Sequence, residues 1–249
     1  GDITESELKP ILESSLANWK AGEKSNKSTI AQQEAKPSKI YFIDMPGASQ
    51  SVIRAAQLFA SEKDLIKDEA KDMMNTLLGG SFLSRLNMNL REDKHWSYGA
   101  GSRFINTKEQ SQYIVYTSVQ TDKTKESLIE ILKELTTINT KNLISKTEFT
   151  QQQSATLMEL PGEFELNADL SSNLEDVIFY NKGLDYLNNI STTIQQLTLD
   201  DIQNAAKLHI QAKNLTWLII GDKTKVFQGI KDLKWGEVIE LDENGEVVE

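Results

Sequence analysis

Arg91 and Tyr98 stand seven residues apart toward the end of the stretch LLGGSFLSRLNMNLREDKHWSYG (residues 77–99), which carries the pair Gly79-Gly80 near its start. A guanidinium stays charged and holds several N–H donors in a fixed fork, and a phenol offers one directed O–H. Taken alone, the two residues also fit a plainer description: a surface ion pair of Arg91 with Glu92 or Asp93, and an aromatic that starts a strand. Gly79-Gly80 at a helix start could turn backbone N–H groups toward an anion. With no phosphate-loop lysine behind it, the pair is better described as a hinge between two helices.

Other chemistry is narrowed by scarcity. The 249-residue chain has no cysteine, which removes thiolate nucleophiles, disulfides and cysteine zinc sites. It has two histidines, His95 and His209, more than a hundred residues apart. Neither HExxH nor HxxEH occurs, so the chain carries no paired-histidine zinc motif. His209, late in an amphipathic helix beside Leu208 and Ile210, is expected to be a surface or packing histidine; His95 lies in a tight polar loop without a GxSxG elbow. The net charge of −10, from 37 acidic and 27 basic residues, comes with no basic stripe of the kind that binds nucleic acid. No apolar run approaches the roughly 20 residues needed for membrane insertion by a helix.

The elements that must position these residues follow from periodicity. Thr4 and Glu7 make a capping-box pattern ahead of Leu8, Ile11, Leu12, Leu16 and Trp19 at helical spacing, and the polar stretch over residues 21–38 is a linker. Beyond it, KIYFID and SQSVIRAAQLFA are strands joined by a turn. DLIKDEAKDMMNTLLGG is a helix with Gly79 as its C-cap, and SFLSRLNMNLRED restarts one with Leu83, Leu86 and Leu90 on one face. SYGAGSRFI and QYIVYTSVQ form an antiparallel pair. Helices are expected over 121–138, 145–160, 163–181 and 197–210, the last capped by Thr198 with Asp201, followed by the buried strand TWLII, a short helix, the strand EVIEL and a solvated acidic tail. Hairpins dominate and helices come in blocks, which gives an α+β fold: a mostly antiparallel sheet with helices packed on one face. GDITESELKPIL at the start echoes GDKTKVFQGI at Gly221, where Gly-Asp ends a strand and a helix follows. The expected organisation is therefore 1–20, the closing helix of a preceding similar domain; 21–38, a linker; and 39–249, a C-terminal domain with an acidic tail.

At residues 77–99 the sequence resembles the second domain of the pitrilysin-type zinc peptidases, the family of insulysin and the mitochondrial processing peptidase. The likeness rests on Gly79-Gly80, Ser84-Arg85-Leu86, Arg91 and Tyr98, and continues through LTLDDIQNAAKLHIQAKNLTWLIIGD and WGEVIELDENGEVVE. The resemblance implies a six-stranded sheet and a clamshell of two halves. One half carries HxxEH and zinc; the other supplies the arginine and tyrosine to bound peptide. It implies that Arg91 and Tyr98 engage a substrate carbonyl, that this chain holds no metal and is inactive alone, and that its partners are a catalytic HxxEH-bearing half, upstream or on a separate subunit, and a peptide. Bacterial relatives suggest the cell envelope. The alternative is a scaffold module of the same fold without substrate contact, like the core subunits of a respiratory complex.

Overall fold

Buried and half-exposed residues alternate along Gln50–Ala60 and Gln110–Gln120, as they must in strands with one covered face. The computed structural model describes residues 2–20, 22–23, 38–183 and 185–248. Its six strands are β1 (Lys39–Asp44), β2 (Gln50–Ala60), β3 (Ser97–Ile105), β4 (Gln110–Gln120), β5 (Thr216–Gly221) and β6 (Val238–Leu241), in the order β3-β4-β2-β5-β1-β6. The pairings β3–β4, β4–β2 and β2–β5 are antiparallel; β5–β1 and β1–β6 are parallel. β1 and β2 are therefore not a hairpin, although a short turn joins them. β5, with Trp217 and Ile219 buried, enters between them and takes the centre of the sheet.

The helices are α1 (Glu5–Leu16), α2 (Leu65–Asn75), α3 (Arg85–Asn87), α4 (Thr124–Thr137), α5 (Lys146–Glu159), α6 (Asn167–Tyr180), α7 (Tyr186–Gln196), α8 (Leu199–His209) and α9 (Lys223–Lys231). α2, α4 and α8 pack on one sheet face, where Ile40, Phe42, Ile53, Val115, Trp217 and Ile219 meet Met74, Leu128, Ile131 and Ile202 in one core. The capping boxes at Thr4/Glu7 and Thr198/Asp201 form as expected, and a third, Ser145/Glu148, starts α5. α1 buries none of its residues: Leu8, Ile11, Leu12 and Leu16 form an exposed stripe. The linker over 21–38 lies almost wholly outside the described residues.

Two expectations need correction, and two features go beyond the expectations. α7 is a helix additional to those expected. α6 begins only at Asn167, because Leu160–Phe164, holding Pro161 and Gly162, is a 3₁₀ turn. The acidic tail turns back: Asp242 N–H donates to Glu246 O (2.8 Å), and Leu241 bridges Val247. Gly79 is not a left-handed C-cap, since neither Gly79 nor Gly80 has positive φ. Both belong to a π-helical turn, Thr76–Gly80, that extends α2.

Candidate functional site

Helix and strand approach so closely at Gly79 that any side chain would collide. A Cβ there would lie 2.2 Å from Ser102 Oγ and 2.5 Å from Ser102 N. The contact is fastened by Asn75, whose Nδ2 donates to Ser102 O (3.2 Å) and whose Oδ1 accepts from Ser102 Oγ (2.7 Å). The glycine pair thus serves close packing rather than anion binding or a hinge. It locks α2 against β3, an edge strand of the sheet.

From that junction the chain runs through α3 into a second π-helical turn, Met88–Asp93, in which Lys94 N–H reaches back five residues to Asn89 O (3.1 Å). Leu86 and Leu90 are buried as expected, but Leu83 precedes the helix and is 76 % exposed. Arg85 is a structural arginine. It grips Glu148 with Nε and Nη2 (3.0 and 2.8 Å to Oε1) and donates to Leu143 O (3.2 Å), tying α3 to the start of α5. Asn87 pins the loop to the strand, its Nδ2 donating to Phe82 O (2.7 Å) and its Oδ1 accepting from Ala100 N–H (3.2 Å).

Arg91 lies in the π turn. Its Nε is 3.4 Å from Glu92 Oε1, and its guanidinium sits 4.5 Å from the centroid of the exposed Phe82 ring. The ion pair is between neighbouring, half-exposed residues, so it holds the arginine weakly. Phe82, which the spacing argument overlooked, gives the guanidinium an apolar platform. His95, at φ 57°, closes the following turn, with Nδ1 3.0 Å from Arg91 O. β3 then begins with a bulge: Ser97 pairs with Val119 and Ala100 with Thr117, so β3 carries one residue more than its partner. Ser97 Oγ accepts from Gly99 N–H (3.0 Å), and Gly99 O accepts from Thr117 Oγ1 (2.9 Å). The bulge leaves Tyr98 90 % exposed on a backbone held on both sides.

The other end of β3 borders a cleft of about 750 Å³, lined by residues that include Asp68, Asp72, Asn106, Tyr180 and Lys182. Its charged floor is occupied by internal pairs. Lys71, 1 % exposed, donates to Asp68 Oδ1 (2.5 Å) and Asn106 Oδ1 (3.1 Å) and faces the Phe104 ring at 5.2 Å. Lys182 Nζ lies 3.2 Å from Asp68 Oδ2, and Tyr186 donates to Glu69 (2.5 Å). Burial raises the Glu69 carboxyl above its ordinary value, the Tyr186 hydrogen bond opposing it. His209 is a packing histidine, 3 % exposed, edge-on to Phe59 (5.0 Å between centroids). Burial, and then the charge of Lys71, push its imidazole down to about 4. Among the described residues no group of three His, Cys, Asp or Glu is placed to hold a metal ion. His209 stands in an aromatic pocket and His95 in an exposed turn, so the histidines do not make a zinc site.

The family model described as "Peptidase M16 inactive domain" matches residues 1–156. The chain belongs to this family. As an M16 inactive domain it resembles several solved structures. The peptidase M16 inactive domain from Pseudomonas fluorescens superposes with a TM-score of 0.76 at 23 % identity, over 89 % of this chain and 52 % of that one. The periplasmic protease PqqL from Escherichia coli gives 0.70 at 16 % identity, over 90 % of this chain and 25 % of that one. The ferredoxin protease FusC, in complex with Arabidopsis ferredoxin, gives 0.64 at 16 % identity, over 89 % and 24 %. The M16 inactive domain here thus spans about half of the first of these and a quarter of the other two. No relative was found among curated proteins.

Proposed function

We propose that this M16 inactive domain is the non-catalytic, substrate-clamping part of a zinc metallopeptidase, and that Arg91 and Tyr98 contact the peptide held by a catalytic HxxEH-bearing half. The observation that carries the reading is the bulge at Tyr98. It presents a phenol almost fully to solvent on a rigid edge strand, next after the turn that holds Arg91 against Phe82. Donors on rigid supports suit a carbonyl that gains negative charge in a transition state. Zinc in this reading belongs to the catalytic half. The stripe of Leu8, Ile11, Leu12 and Leu16 on α1 packs against the domain that residues 1–20 would close, with 21–38 as the linker to the domain of 39–249.

The test is reconstitution with the HxxEH-bearing half. Arg91→Ala and Tyr98→Phe are each expected to lower peptide turnover by about 100-fold while assembly persists, the scale of one lost oxyanion donor. Unchanged turnover in both would refute the clamp and leave a scaffold of the same fold. Stoichiometric zinc on the isolated chain would contradict the placement of the metal in the other half.

A further inference from the structure

The sheet face away from the helices is half-exposed and mostly apolar, with Tyr41, Ile43, Ile114 and Leu218 among its residues. Three polar side chains gather in one place on it. Arg54 on β2 pairs in register with Tyr116 on β4, and Tyr116 pairs with Gly101 on β3. Arg103, two residues along β3, shares that face. The guanidinium carbons of Arg54 and Arg103 lie 5.8 and 5.7 Å from the centroid of the Tyr116 ring. That ring lies across Gly101, where a Cβ would come within 2.8 Å of the Tyr116 hydroxyl and 2.9 Å of Cζ. The missing side chain lets the phenol reach out toward the edge strand.

Neither arginine has a carboxylate within ion-pair distance among the described residues, although the chain carries 37 acidic side chains. Arg54 donates to the carbonyls of Ile53 (3.0 Å) and Thr117 (3.4 Å). Two cations gathered on one ring repel each other, and an anion relieves that repulsion. The guanidinium fork matches a carboxylate bidentately, and the Tyr116 O–H adds a third donor. Tyr98 and Arg103 are five residues apart on the same edge strand, on the order of 16 Å at about 3.3 Å per residue, with the bulge shortening the span. A peptide extended along β3 covers that distance with about five residues.

We propose that Arg54, Arg103 and Tyr116 form a carboxylate subsite for the peptide clamped at Tyr98, selecting an acidic side chain or the peptide's own C-terminal carboxylate about five residues from the bond cleaved. The inference rests on the clamp reading. Its test uses the reconstituted enzyme and matched peptides that differ in one group: Glu against Gln at that position, and free C-terminal acid against amide. With the native chain, kcat/KM favours the carboxylate member of at least one pair by about tenfold; which pair shows the preference identifies the source of the carboxylate. In Arg103→Gln and Arg54→Gln that ratio falls to about one. Equal turnover within both pairs by the native chain overturns the subsite, as does a ratio that both variants leave intact. Arginine variants that only weaken assembly with the catalytic half also overturn it, because the face would then be a contact between domains. Tyr98→Phe keeps the two readings apart. Lost turnover at Tyr98 without a carboxylate preference removes the subsite alone, and a preference without any loss at Tyr98 removes the clamp alone.

Discussion

The two ends of β3 treat charge in opposite ways. At the end of Phe104 and Asn106, Lys71 and Lys182 share Asp68 beneath a wall of aromatic rings, and each buried charge meets a partner inside the chain. At the end of Tyr98, the phenol stands in solvent, and among the described residues the Arg91 side chain keeps a neighbouring glutamate and the ring of Phe82. A charge removed from water must be compensated where it lies, so the first end consumes its own polar groups. The second leaves its donors to whatever approaches. A cleft of about 750 Å³ opens at the satisfied end, yet the shape of a cavity is a poorer guide to chemistry here than the availability of the groups around it.

The contrast can be broken most severely at Lys71. Lys71→Met leaves Asp68 with Lys182 alone in a buried setting and is expected to cost about 3–5 kcal/mol in urea unfolding; a loss below about 1 kcal/mol would show that the satisfied end is solvated after all. His209 comes next, through pH. Its imidazole is held at about 4 in the fold against an ordinary 6.5, so below pH 6.5 the unfolded chain takes up a proton that the folded one refuses. Stability is expected to be full above pH 6.5 and to fall by about 3 kcal/mol as the pH drops to about 4. His209→Phe should flatten that part of the profile in a series of denaturation curves; an unchanged slope would assign it to the carboxylates. Gly79→Ala forces the α2 extension away from the backbone of β3 and should cost about 2 kcal/mol by thermal melting. Smallest of all, Tyr98→Phe and Arg91→Ala should change stability by less than about 0.5 kcal/mol, as befits groups not held in the core. A large loss there would make them structural and end the contrast.

Much of the fold could be read from patterning, because alternation along β2 and β4 and the caps at Thr4 and Thr198 are local signals. The sheet order was not local. β5 separates β1 from β2 across more than a hundred intervening residues, and nothing within either strand announces the parallel pairing. α7 does carry Ile190 and Ile194 one turn apart, but Asn188, Asn189, Thr192 and Thr193 weaken its helical character, which is restored by packing against α2 and α5. At the candidate site, Arg91 and Tyr98 could be picked out because resemblance fixed their spacing. The bulge was not visible, since it depends on how β3 registers against β4, and Phe82 meets Arg91 only through the fold of the segment between α2 and β3. The burial of Lys71 had no local signal; it follows from the approach of Asn106 and Phe104, far along the chain. Gly79-Gly80 had a clear signal and the wrong interpretation. Glycines at a helix end suggest a left-handed cap, and these serve proximity instead.

The second π-helical turn has a consequence for inheritance. A π turn holds one residue more than the α-helical turn it replaces, and each helical residue sweeps about 100°. Losing one residue between Asn87 and Arg91 would let the hydrogen bonds relax to the α pattern and swing the arginine to a different side of the segment, while Asn87 and Ala100 still fix both ends. Lineages can therefore exchange side chains here by small steps, but a one-codon deletion is a discontinuous event that no later substitution nearby readily reverses.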